Sequence, residues 1–158
     1  MAKVSGNIKR SGSEWKADGL AKRVSTAALR DYIDKNSGDD GSRAVNAYFK
    51  NKVDERVSNA LYDAMYEKSR VEGKKNESQL FNSAPDETVK TAQLHPVQGF
   101  IGSQQVKNHL PESKASGLLI VRREGTGEYY VFDGTHRAVA AILRGDKTVK
   151  GKIVTVKF

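Results

Sequence analysis

The chain contains no cysteine. Disulfides, a thiol nucleophile and thiolate metal sites are excluded, and the simplest compartment is the cytoplasm. Histidine is scarce as well. His95, His109 and His136 are the three present, with no carboxylate at metal-ligand spacing, so no zinc site is expected. No apolar run approaches the length of a membrane span, and Met1-Ala2-Lys3-Val4-Ser5-Gly6 lacks the apolar stretch of a secretory signal. Neither a membrane partner nor export is expected. Gly102-Ser103 has no nucleophile-elbow context, and Gly125-Thr126-Gly127 is too short for a P-loop and lacks its lysine.

What the chain has is positive charge. Lys and Arg total 27 against 19 Asp and Glu, a formal net charge of +8 over 158 residues. That balance favours polyanionic partners such as nucleic acid. The basic residues are interleaved with acids along the whole chain, so a solvated basic surface accounts for it equally well. Apolar residues make up 37% and charged residues 29%, which supports a core but not one running the full length.

Residues 1–24 mix glycine, serine and lysine around Trp15 and read as a mobile arm. Ser25 caps a short helix through Ile33, and Asn36 to Gly41 breaks it. Ser42 opens the longest helical pattern, expected to end near Glu72-Gly73. Its stripe of Val45, Phe49, Val53, Val57, Leu61 and Met65 suits a core, or alternatively a partner protein. Gly73 to Asp86, with Pro85, reads as a hinge. Thereafter the pattern predicts a strand over Thr88–Leu94 ending at His95-Pro96, and a short helix from Ser103 closed by Pro111. A hairpin follows, Leu118–Arg123 and Glu128–Phe132, then a helix to Leu143 and a closing strand over Gly151–Phe158. The expected fold class is α+β, with a helical N-terminal extension over residues 1–87 and a compact mixed unit over 88–158.

The junction in that second unit organises the chain. The apolar run Tyr129-Tyr130-Val131-Phe132 is broken by Asp133-Gly134 and restarts in alanine and leucine at helical spacing. A strand, a turn and a helix start therefore meet at Asp133-Gly134-Thr135-His136-Arg137. Backbone N–H groups and the helix dipole favour an anion there, and Gly134 permits close approach to the backbone. His136 and Arg137 oppose that dipole, which suggests that an anion, most naturally phosphate, is expected between them. A plainer reading has Asp133 and Thr135 capping the helix while His136 and Arg137 stay solvated. Arg122 and Arg123 alternate faces, so one of them is a candidate for the same pocket.

Residues 91–158 resemble the ParB/sulfiredoxin superfamily, closest to the short ParB-like, nuclease-type domains of phage and mobile-element proteins. The resemblance rests on Pro96-Val97-Gln98, the apolar strand pair, the Asp133–Arg137 box with Ala138, Ala140 and Ala141, and the ending Arg144-Gly145-Asp146. It implies a mixed sheet and a box that binds a nucleotide phosphate or the nucleic-acid backbone. Gly134 and Thr135 would supply backbone donors, His136 and Arg137 would contact phosphates, and Gln98 falls where relatives place a second nucleotide contact. Asp133 would orient the loop or hold Mg²⁺ through water.

Departures from the family narrow the reading. Sulfiredoxin chemistry needs a cysteine where Thr135 stands, so it is excluded. No helix-turn-helix reader follows the box, so a partition-complex role is not expected. Related serine kinases have histidine in place of Thr135 and need an upstream acid, for which Asp86 and Glu87 are the candidates. Beside such a small-molecule kinase, which would require ATP or ADP turnover with a specific hydroxyl acceptor, two functions remain. One is a phosphate-recognising module for nucleic acid or a nucleoside triphosphate. If such a module is also catalytic, Mg²⁺ at Asp133 would polarise a phosphodiester or phosphoanhydride, with His136 and Arg137 serving the reaction. The other is an accessory protein whose helix 42–72 binds a host or virion protein, the ParB-like unit being a scaffold.

Overall fold

The computed structural model describes residues 55–97, 103–112 and 115–158. Trp15, Gln98, the helix expected at Ser25–Ile33 and the first part of the helix expected from Ser42 lie outside them. In chain order the elements are α1 (Glu55–Val71), a 3-10 turn (Glu77–Phe81), β1 (Asp86–Lys90), a 3-10 turn (Thr91–Gln93) and β2 (Leu94–Pro96). Then come α2 (Ser103–His109), β3 (Leu118–Arg123), β4 (Tyr129–Asp133), α3 (Thr135–Arg144) and β5 (Thr148–Val156). This is an α+β arrangement around one mixed five-stranded sheet, in the order β1-β5-β3-β4-β2.

Alternation along the strands makes both faces of that sheet apolar. Ile120 and Val131 point to one side, where α2 and α3 bring Val106, Ala138 and Ile142. Val121 and Tyr130 point to the other, against Leu61 and Met65 of α1 and Phe81 of the first 3-10 turn. Helices therefore cover both faces, as a sheet with two apolar faces requires. Helix α1 keeps the expected stripe: Ser58, Leu61, Met65 and Ser69 are buried at three- and four-residue steps. Ser58 Oγ donates to the Val97 carbonyl at 2.9 Å and ties α1 to the end of β2.

One expected strand is two. The run predicted over Thr88–Leu94 breaks at Thr91, whose hydroxyl donates to the Asp146 carbonyl at 2.8 Å and whose N–H donates to the Lys147 carbonyl at 2.9 Å. Those long-range bonds fix the 3-10 turn that carries the chain from one edge of the sheet, β1, to the other, β2. Apolar spacing shifts phase at the break, from Val89 to Ala92 and Leu94, but a single three-residue step is too slight to mark it in sequence. The closing strand also starts earlier than Gly151, at Thr148, because its first half pairs with β1 (Val89↔Val149) while its second half pairs with β3 (Ile120↔Ile153). The hairpin forms as expected, with Gly125 and Gly127 in left-handed conformations and Gly127 N–H donating to the Arg123 carbonyl at 2.9 Å.

Candidate functional site

The end of β4 and the start of α3 meet at Gly134, which adopts φ 98°, ψ 23°. Only a residue without a Cβ takes that left-handed conformation at little cost. The space is equally restrictive, because a Cβ there would lie 3.1 Å from Leu118 Cγ and 3.4 Å from Leu118 Cα. Gly134 is thus the N-cap of α3, and no side chain caps the helix. The capping role considered for Asp133 and Thr135 is not realised, since Asp133 still belongs to β4 and Thr135 is already the first helical residue. A helix start without a side-chain cap keeps its positive dipole end available to a ligand.

Asp133, Gly134, Thr135, His136 and Arg137 line one cavity of about 290 Å³. Thr135 is only 4% exposed, and its hydroxyl makes no hydrogen bond to any described residue. Buried polar groups are nearly always paired, so an unpaired one beside a cavity points to a partner supplied from outside. Arg137 reaches back across the opening and donates from Nη1 to the Ser116 carbonyl at 3.1 Å. Gly117, at φ 76°, makes room for it, since a Cβ there would stand 2.9 Å from the same nitrogen. His136 is held below the usual histidine range, first by burial and then by nearby His109, with Asp133 acting in the opposite direction.

His109 completes the wall from α2. Its Nδ1 lies 2.9 Å from Glu112 Oε2, and this bond holds the Glu112 carboxyl below its usual range. Arg144 anchors that side: Nη1 donates to the His109 carbonyl at 2.7 Å, while Nε and Nη2 grip Asp146 Oδ2 at 3.0 and 2.7 Å. The C-terminal ends of α2 and α3 are thereby clamped together. His109 and Gly117 had escaped sequence reasoning. Both lie far from the Asp133–Arg137 box in the chain, and the available signals, a His-x-x-Glu spacing and a glycine before an apolar strand, are too common to single out.

Other candidates stand elsewhere. Asp86 and Glu87 sit on edge strand β1, in register with Lys152 and Gly151 of β5. Three strand spacings, roughly 14 Å, separate β1 from β4, so neither acid serves as a base at this cavity. Arg123 donates to the Phe158 carbonyl at 2.8 Å and lies over the Phe158 ring, and Arg122 is exposed on β3; neither lines the cavity. Asp133 is the one carboxylate among the lining residues, and no group of three or more His, Asp or Glu side chains is gathered among the described residues. No helix among the described residues is long and apolar enough to cross a membrane. No protein-family model and no curated protein matches the chain.

Proposed function

We propose that the chain is a phosphate-recognising module of the ParB-like kind, binding a nucleotide or nucleic acid at the start of α3. The observation that carries this reading is the uncapped helix start joined to the buried, unpaired Thr135 hydroxyl. A phosphate oxygen supplies the missing acceptor, the helix N-terminus stabilises its charge, and Arg137 closes over it. The net charge of +8 raises the local concentration of such anions without selecting among them.

The test is a thermal-shift titration with CTP, ATP, ADP and a short DNA duplex, with and without Mg²⁺, on wild type and Arg137→Ala. A ligand at 100 times its Kd stabilises the folded state by about 2.7 kcal/mol. For a chain of this size that raises the Tm by roughly 5–10 °C. The rise is expected with at least one ligand and lost in Arg137→Ala. No rise with any of them, from a well-folded protein, refutes the phosphate site. Release of inorganic phosphate or shortened DNA in the Mg²⁺ samples adds cleavage to binding.

A second reading is favoured by α1. Tyr62 and Tyr66, one turn apart, are 39% and 60% exposed on one side of it, and the Tyr62 ring lies tilted against Phe132 with centroids 5.7 Å apart. Such a face suits a host or virion protein partner. Salt separates the two readings, because phosphate binding weakens steeply with ionic strength while an apolar helix contact does not.

A further inference from the structure

We propose that His109, oriented by Glu112, is the general base of a hydrolytic step at this cavity, taking a proton from a water molecule as that water attacks the terminal phosphorus of a phosphoanhydride. The proposal rests on the phosphate-site reading above and adds to it a reaction, a substrate class and two residues from outside the Asp133–Arg137 box.

The geometry of the dyad carries it. His109 Nδ1 lies 2.9 Å from Glu112 Oε2. That bond holds the Glu112 carboxyl below its usual range, so the oxygen accepts and Nδ1 carries the proton. In the neutral ring Nε2 is then an acceptor, and it makes no hydrogen bond with a described residue. His109 lines the cavity together with Thr135; with Nδ1 turned to Glu112, Nε2 is the nitrogen left for that space. The Arg144 bond to the His109 carbonyl, at 2.7 Å, holds the residue in place from α3.

An acceptor stands out in a wall suited to phosphate. The free N–H groups at the start of α3, the Thr135 hydroxyl and the Arg137 guanidinium are all donors, and phosphate oxygens accept. A lone pair at the same cavity calls for a proton-bearing group next to the phosphate, and water is the smallest. Asp133 is the other acceptor in the wall, but near neutral pH an imidazole takes up a proton more readily than a carboxylate.

The balance of the step selects the substrate. The water oxygen bonds to phosphorus while its proton passes to Nε2. The bond from phosphorus to the bridging oxygen breaks, and its electron pair leaves on the departing phosphate. The imidazolium then returns its proton to solvent, and Arg137 stabilises the charge that develops on the phosphoryl oxygens. A departing alkoxide of a nucleic-acid backbone would need a separate proton donor. Arg137 keeps its proton and burial disfavours protonated His136, so neither suits that task. A phosphoanhydride releases a phosphate anion, which needs no such donor.

The experiment follows release of inorganic phosphate by the full chain near neutral pH, from ATP with Mg²⁺ and in parallel from pyrophosphate, with a DNA hexanucleotide as the diester probe. His109→Ala is expected to lower kcat about 100-fold while KM moves less than about twofold, and added imidazole to restore part of the rate. Glu112 is a positioning residue. Glu112→Gln keeps an acceptor for Nδ1 but removes the charge, and should lower kcat about 10-fold at unchanged KM. The His109 side chain bonds only to Glu112, and its carbonyl survives substitution, so the Tm of His109→Ala should stay close to wild type. Release at the wild-type rate in His109→Ala, or a loss that imidazole does not restore, overturns the base. No release by a wild type whose Tm ATP still raises overturns the step and leaves the phosphate site standing. Neither release nor a Tm rise with any ligand overturns both. Cleavage of the hexanucleotide as fast as ATP overturns the substrate class. Release from ATP or from pyrophosphate supports it, and the faster of the two identifies the source of the phosphoanhydride.

Discussion

The two glycines that bracket α3 allow conformational strain to be separated from packing. Gly134 has φ +98° and Gly145 has φ +81°. Alanine in the left-handed region costs about 1–2 kcal/mol, offset by about 0.4–1 kcal/mol because alanine also restricts the unfolded chain. At Gly145 a Cβ meets nothing within 4 Å, so Gly145→Ala should cost roughly 0.5–1 kcal/mol in all. At Gly134 the Cβ meets Leu118 Cγ at 3.1 Å and Cα at 3.4 Å, and Leu118 is fully buried at the start of β3. Compressing that contact adds about 1 kcal/mol, bringing Gly134→Ala to about 2 kcal/mol. Urea denaturation of both variants measures the difference directly. The Tm should fall by roughly 4–8 °C for Gly134→Ala and about half as much or less for Gly145→Ala. Placing Gly134→Ala in a Leu118→Ala background should reduce its cost by about 1 kcal/mol, since the contact is gone. Equal losses at the two glycines, with no coupling to Leu118, would refute the packing argument and leave backbone strain alone.

His136 also makes stability depend on pH. Burial holds its folded-state proton affinity down, so its contribution is complete above the ordinary histidine value near 6.5 and is lost as pH falls through the lower folded value. Denaturation from pH 7.5 to 5 should show a steeper loss for wild type than for His136→Gln; parallel curves would exclude His136 as the cause. Arg144→Ala removes the bonds to the His109 carbonyl and Asp146 and should cost about 2 kcal/mol in urea denaturation. A loss below about 0.5 kcal/mol would show that α2 is held by other means. Gly151→Ala would place a Cβ 2.6 Å from the Leu118 carbonyl in the middle of the sheet and should cost about 3 kcal/mol or more. A folded variant within about 1 kcal/mol of wild type would mean that β3 and β5 can move apart at that point.

Local signals carried the elements they govern. The hairpin needs only its glycines and flanking apolar strands, and α3 needs only the break at Asp133-Gly134, so both were legible from neighbouring residues. The strand expected at Thr88–Leu94 failed for the opposite reason. Its break is imposed by bonds from Thr91 to Asp146 and Lys147, residues more than fifty positions away. The same division runs through the site. Asp133 to Arg137 are consecutive and were visible as a box, whereas His109, Ser116 and Gly117 join them only because α2 and the approach to β3 fold against α3.

Leu118 shows how that convergence is built. It pairs with Gly151 in the parallel β3–β5 ladder, and its side chain lies directly under Gly134. Two glycines from different elements thus close on one leucine, and a third, Gly117, precedes it and leaves room for the Arg137 guanidinium. In sequence each glycine signals only a turn or a close approach. Together they let the start of β3 seat the left-handed turn and the Ser116 carbonyl aim Arg137 across the cavity. The geometry of the cavity therefore comes from the sheet beneath the box as much as from the box itself. Transplanting Asp133–Arg137 without its glycine and leucine support would carry the residues but not the site.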